Sequence, residues 1–116
     1  MPKDMKLEIH PLTINQAFMG RRFKTQAYKD YETEMLWLIK AQKPKKVSGW
    51  VEVEYHFYIK HFLTTDTCNM EKLLTDILVK AGCLDDDRFI IRAVMTKHAI
   101  CKDEKESIDI TIKKYE

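Results

Sequence analysis

Residues 50–60 set Val51, Val53, Tyr55, Phe57 and Ile59 in strict alternation with Glu52, Glu54, His56, Tyr58 and Lys60. A period of two places these residues on opposite sides of an extended strand, so one face packs on a core and the other is wet or functional. Met5, Leu7 and Ile9 alternate with Lys6, Glu8 and His10 in the same way and predict a short first strand, which Pro11 stops. Phe89, Ile91, Ala93 and Met95 alternate with Ile90, Arg92, Val94 and Thr96, a third strand with one apolar face. Ile108, Ile110 and Ile112 alternate with Asp109, Thr111 and Lys113, a final strand read as the antiparallel partner of the third.

Between the strands the period changes. In residues 25–41 the apolar positions Ala27, Tyr28, Tyr31, Met35, Leu38 and Ile39 fall three or four apart, which predicts a helix with Thr25 as N-cap. Residues 69–81 repeat the pattern through Leu73, Leu74, Ile77, Leu78 and Ala81, with Gly82 where a left-handed cap belongs. Residues 11–24 lack a sustained period and read as a loop. The order β-α-β-α-β-β predicts an α+β fold, a small mixed sheet with two helices packed on one face. At 116 residues and 13.8 kDa the chain is expected to form one domain, residues 1–116, burying about two thirds of its extended surface.

Three cysteines, Cys68, Cys83 and Cys101, show no CxxC spacing and no disulfide-scaffold density. Reduced thiols in a cytoplasmic protein are the expectation. The longest unbroken apolar run, residues 35–39, is far short of a membrane span, and no apolar segment follows Met1. Cys68, Cys83, His98 and Cys101 include a three-residue His–Cys spacing, but without a CxxC pair satisfied thiols and a surface imidazole outweigh a zinc site. Trp37 and Trp50 are read as packing residues, and His56 and His61 as groups flanking the wet face of the long strand.

The net charge of +2 conceals an asymmetry. Residues 1–65 carry 11 basic and 7 acidic groups, a balance of +4, whereas residues 66–116 carry 9 and 11, a balance of −2. Arg21, Arg22 and Lys24 in the loop and Lys43, Lys45 and Lys46 in the turn after the first helix form a basic set suited to DNA phosphates. Asp66 lies just before the second helix and the run Asp85, Asp86, Asp87 just after it. Adjacent carboxylates are either solvated or hold a hard divalent cation, and spacing alone leaves both open.

The words around these acids resemble a known family. Asp66-Thr-Cys68-Asn69-Met-Glu-Lys72, then Leu73, Leu74, Asp76, Leu78, Ala81, Gly82 and the stretch from Leu84 to Asp87, are similar to the core of the RusA Holliday junction resolvases. Pro11-Leu-Thr-Ile-Asn15 resembles that family's proline-led loop, and Tyr28 stands where an aromatic of the first helix recurs. The resemblance implies a homodimeric, Mg²⁺-dependent endodeoxyribonuclease of bacteria and their phages, with Mn²⁺ as a possible substitute, that cuts four-way DNA junctions in recombination and repair. It places catalytic roles on Asp66, Lys72 and Asp87, metal ligation on Asp66, Asp87 and Asp86, and DNA contacts on Asn15 and Asn69 beside the basic set.

Cys68 departs from the pattern, because it replaces an expected carboxylate. A thiol is a soft ligand, poorly matched to Mg²⁺. Asp85, Asp86 or a water could complete the shell and leave an active nuclease, or the chain could bind junctions without cutting them. A second departure puts Leu63, Thr64 and Thr65 where basic residues are usual before the first aspartate. A helix of about 12 residues rises about 18 Å and five extended residues recover about 16 Å, so joining Asp87 to Asp66 within one chain is tight. Sharing the site across a dimer is the alternative.

Overall fold

The computed structural model describes residues 4–13, 16, 18–19 and 23–115. Strand β1 (Asp4–Leu7) is followed by a two-rung hairpin of β2 (Phe18–Met19) and β3 (Phe23–Lys24), then by helix α1 (Gln26–Ala41). Strand β4 (Val51–Ile59), helix α2 (Thr67–Lys80), a 3-10 turn (Asp87–Phe89), β5 (Ile90–Ala99) and β6 (Ser107–Lys114) complete the chain. Thr25 caps α1 as expected, its side chain accepting from the Tyr28 amide. Gly82 adopts φ +80 after α2, the left-handed conformation that glycine takes most easily.

The main sheet runs β1-β6-β4-β5, with β4 parallel to β5 and antiparallel to β6. Val51, Val53, Tyr55, Phe57 and Ile59 are buried, and the residues between them are half-buried. That face joins Met5, Leu7, Ile108, Ile110 and Ile112 of the flanking strands, Tyr28, Tyr31, Met35 and Ile39 of α1, and the apolar side of α2 in one core. The reverse face, bearing Glu52, Glu54, His56 and Tyr58, has no helix over it among the described elements.

Several expectations are corrected. β6 does not pair with β5; it lies between β1 and β4. All three of its isoleucines are buried, so it belongs inside the sheet, whereas β5 lies at an edge and has no buried residue. The apolar face expected on β5 is broken near its start, where a register shift at Val51/Glu52 sets Ile90 opposite Val51 and leaves Ile91 48% exposed. Trp37 is not a packing residue: it is 75% exposed on the outside of α1. Trp50 is also exposed, with its ring tilted against Phe89. The span read as a loop contains the short β2–β3 hairpin.

Glu106 joins three parts of the chain just before β6. Its carboxylate accepts from the Lys60 amide at 3.0 Å and meets His10 Nδ1 at 2.6 Å. Burial pushes this carboxyl up, but the Lys60 amide and the His10 ring outweigh burial and hold it below the ordinary glutamate value.

Two stability predictions follow from these positions. Ile110→Ala, in the middle of the sheet, should cost about 2–5 kcal/mol in chemical denaturation, whereas Ile91→Ala at the edge should cost less than about 1 kcal/mol. Glu106→Gln should lower the melting temperature at pH 7 by about 2–5 °C. Because the folded carboxyl lies below its unfolded value of about 4.3, its contribution is complete above that pH and is lost as pH falls through the folded value. The melting difference should therefore vanish on acidification; a difference unchanged at pH 3 would contradict the assignment.

Candidate active site at the start of the second helix

A parallel strand pair needs a crossover, and here α2 supplies it, running back from the carboxyl end of β4 to the start of β5. The first residue of interest, Asp66, is the N-cap of α2, with extended φ −95 and ψ 129. An N-cap aspartate ordinarily accepts a first-turn amide, worth about 1 kcal/mol. Asp66 makes no such side-chain bond, although its backbone carbonyl accepts from the Asn69 amide at 3.2 Å. Its exposed carboxylate is thus left for another partner, at the carboxyl edge of the parallel pair where ligands of open sheets commonly bind.

The rotation of α2 is fixed by its core side. Met70, Leu73, Leu74, Ile77 and Leu78 are buried, and the Tyr55 hydroxyl donates to Thr75 Oγ1 at 2.6 Å while Thr75 donates to Glu71 Oε1 at 2.7 Å. Burial raises the Tyr55 phenol well above its ordinary value, so it remains a donor. Cys68, Lys72, Asp76 and Lys80 consequently form an exposed stripe of four-residue spacing. Cys68 and Lys72 lie one turn apart at its amino end, as their spacing suggested, with Asp66 preceding them as the N-cap, while α2 begins at Thr67 rather than Asn69.

The acidic run lies at the other end. Asp85 is a structural group: its carboxylate takes Lys46 Nζ at 2.8 Å and the Gly49 amide at 3.0 Å, and these bonds hold it below the usual carboxylate range. The neighbouring carboxyls of Asp86 and Asp87 act on each other, lowering the first and raising the second, with desolvation and repulsion from Asp76 adding to the rise. The Val47 amide bonds to the Cys83 carbonyl at 3.0 Å and Val47 bridges to Leu84, so the chain after α2 is pinned beside the start of β4.

These anchors separate the expected ligands. Asp76, whose charge is felt by Asp87, lies ten residues beyond Asp66, about 15 Å of helix rise. Carboxylates sharing one Mg²⁺ each approach it to about 2.1 Å. Asp66, Asp86 and Asp87 of one chain therefore do not fit a single ion, and among the described residues no group of three or more His, Cys, Asp or Glu is placed to hold a metal.

The other candidates are dispersed. Cys68 and Cys101 are exposed, while Cys83 is buried and its thiol pushed up by burial. His56 Nδ1 lies 2.9 Å from His98 Nε2 on the helix-free face of the sheet. Lys43 and Lys45 are exposed, whereas Lys46 is committed to Asp85. Asn69 is half-buried in the first turn of α2. Asn15, Arg21 and Arg22 lie outside the described residues, as does the side chain of Lys24. No described helix is long and apolar enough to cross a membrane.

One neighbour of Asp66 escaped the sequence reading. Lys97 of β5, in register with Phe57, donates from Nζ to the carbonyls of Phe62 at 2.6 Å and Thr65 at 3.0 Å. Its signal was the charge that follows Met95 on the nominally apolar side of β5.

Among known proteins, the family model described as Endodeoxyribonuclease RusA matches residues 12–113. No curated protein matches the chain. The family match takes in both helices, β4, β5, most of β6 and every described residue of the Asp66 end, within an α+β architecture compatible with that fold. The chain belongs to the RusA endodeoxyribonuclease family.

Proposed function

We propose that this chain is a divalent-cation-dependent endonuclease that resolves four-way DNA junctions in recombination and repair, working as a cytoplasmic homodimer. The observation that carries the reading is Asp66, an N-cap carboxylate with no cap bond, grouped with Lys72 at the amino end of α2. Hydrolysis of a phosphodiester needs a positioned water and neutralisation of the charge that builds on the phosphoryl oxygens. Asp66 offers an acceptor that can orient the water, and Lys72, one and a half turns along the helix, offers the positive charge. The amino end of α2 adds its partial positive charge for an incoming phosphate. Exposed Lys43 and Lys45, with Arg21, Arg22 and Lys24, would contact phosphates farther along the arms.

Mg²⁺ is the proposed cofactor, with Mn²⁺ able to replace it. Asp66 is its first expected ligand, and Asp86 and Asp87 would join only from a second copy or after a rearrangement. Two copies related by a two-fold axis match the symmetry of a four-way junction.

Cys68 favours a second reading, a junction-binding protein that does not cut. Its exposed thiol occupies the first turn of α2, where the family pattern has a hard oxygen donor.

Incubation with a synthetic four-way junction in Mg²⁺ or Mn²⁺ separates the two. Asp66→Asn should reduce cleavage at least about 100-fold while leaving junction binding intact, and Cys68→Asp should raise it. If the natural chain binds but does not cut and Cys68→Asp gains activity, the binding reading stands. Equal affinity for a junction and a plain duplex would contradict both.

A further inference from the structure

We infer that Lys97 is a positioning residue of the nuclease site: its ammonium clamps the loop between β4 and α2 and thereby aims Asp66. The inference rests on Asp66 as the carboxylate of the reacting end. Lys97 stands on the core-facing side of β5, in register with buried Phe57, and its Nζ reaches across the end of the sheet into residues 60–66. There it donates to the Phe62 and Thr65 carbonyls and lies 4.7 Å from the centre of the Phe62 ring. Thr65 immediately precedes Asp66, so the clamp ends one peptide unit before the carboxylate.

Little else in the described structure orients that aspartate. Leu63 is 89% exposed and Thr64 is exposed, so burial of the loop tip does not hold it. Asp66 has forgone the cap bond that would lock its side chain to α2. A part-buried ammonium is costly when no carboxylate faces it, and among the described residues none lies within ion-pair distance of Lys97. An apolar residue of similar length would fill the same space at less cost. What the lysine adds is a pair of charge-assisted hydrogen bonds to carbonyls three residues apart, which close the loop into one shape.

The position of the clamp also suits its role. Lys97 lies near the end of the strand reached by the crossover, and the loop it grips begins that crossover. Strand and loop are therefore held together at the amino end of α2, where Asp66 stands, and misplacing a reacting group by about 1 Å can cost about 100-fold in rate.

The test compares Lys97→Met, which keeps the stem and removes the ammonium, with Lys97→Arg, which retains donors, in the full chain and beside Asp66→Asn. Steady-state cleavage of a four-way junction gives kcat and KM, and amide hydrogen exchange reports the loop directly. Lys97→Met should lower kcat at least about 10-fold with KM within about 2-fold, and amides of residues 63–67 should exchange at least about 10-fold faster. Lys97→Arg should recover both to within about 3-fold. Unchanged kcat and unchanged exchange in Lys97→Met would overturn the inference, as would a loss that follows global melting and is not rescued by arginine. If Asp66→Asn cleaves normally while Lys97→Met loosens the loop, the reading of Asp66 fails and the role of the clamp in catalysis fails with it. Should the natural chain bind without cutting, the role of the clamp in catalysis is overturned, whatever the exchange of residues 63–67 shows.

Discussion

The parallel pairing of β4 with β5 determines where every candidate group can stand. Parallel neighbours cannot be joined by a tight turn, so the chain must leave the carboxyl end of β4, travel the length of the sheet and re-enter at its amino end. Helix α2 makes that return. Asp66 is thereby assigned to one end of the domain and the acidic run to the other, and the two groups that look like neighbours in the sequence become the two ends of a helix. The bonds of Asp85 to Lys46 and Gly49, and of Val47 to Cys83, then fix the far end.

This separation gives the charge distribution a more definite form. The basic turn of residues 43–46 does not stand apart as an independent DNA surface, because Lys46 neutralises Asp85. Asp86 and Asp87 are adjacent carboxylates that act on each other, the first held below the ordinary aspartate value and the second above it. The amino end of α2 retains a free carboxylate, an exposed lysine and a helix dipole of the sign that attracts phosphate. The proposed chemistry is therefore assigned to the Asp66 end rather than to the denser acidic run.

Much of this was legible from periodicity. The alternation through β4 appears as a buried and half-buried pattern along its whole length, and Thr25 and Gly82 mark their helix ends. Strand order was not legible, because three isoleucines at period two specify a buried face without naming the neighbours. Register on β5 was hidden by the shift at Val51/Glu52, which no local residue pattern announces. Trp37 was misread from its apolar character although it falls off the three-and-four spacing of Tyr28, Tyr31, Met35 and Ile39, the side of α1 that is buried. Asp66 and Lys72 were singled out through the family pattern, whereas Lys97 was passed over because its partners are backbone carbonyls, which have no sequence signature.

The central claim is that DNA meets the chain at the amino end of α2. Backbone amide chemical shifts, recorded with and without a four-way junction in the presence of a chelator that keeps the DNA intact, test it most directly. The account predicts that the largest changes fall on residues 60–72. Changes confined to residues 43–49 and 85–89, with residues 60–72 undisturbed, would contradict it.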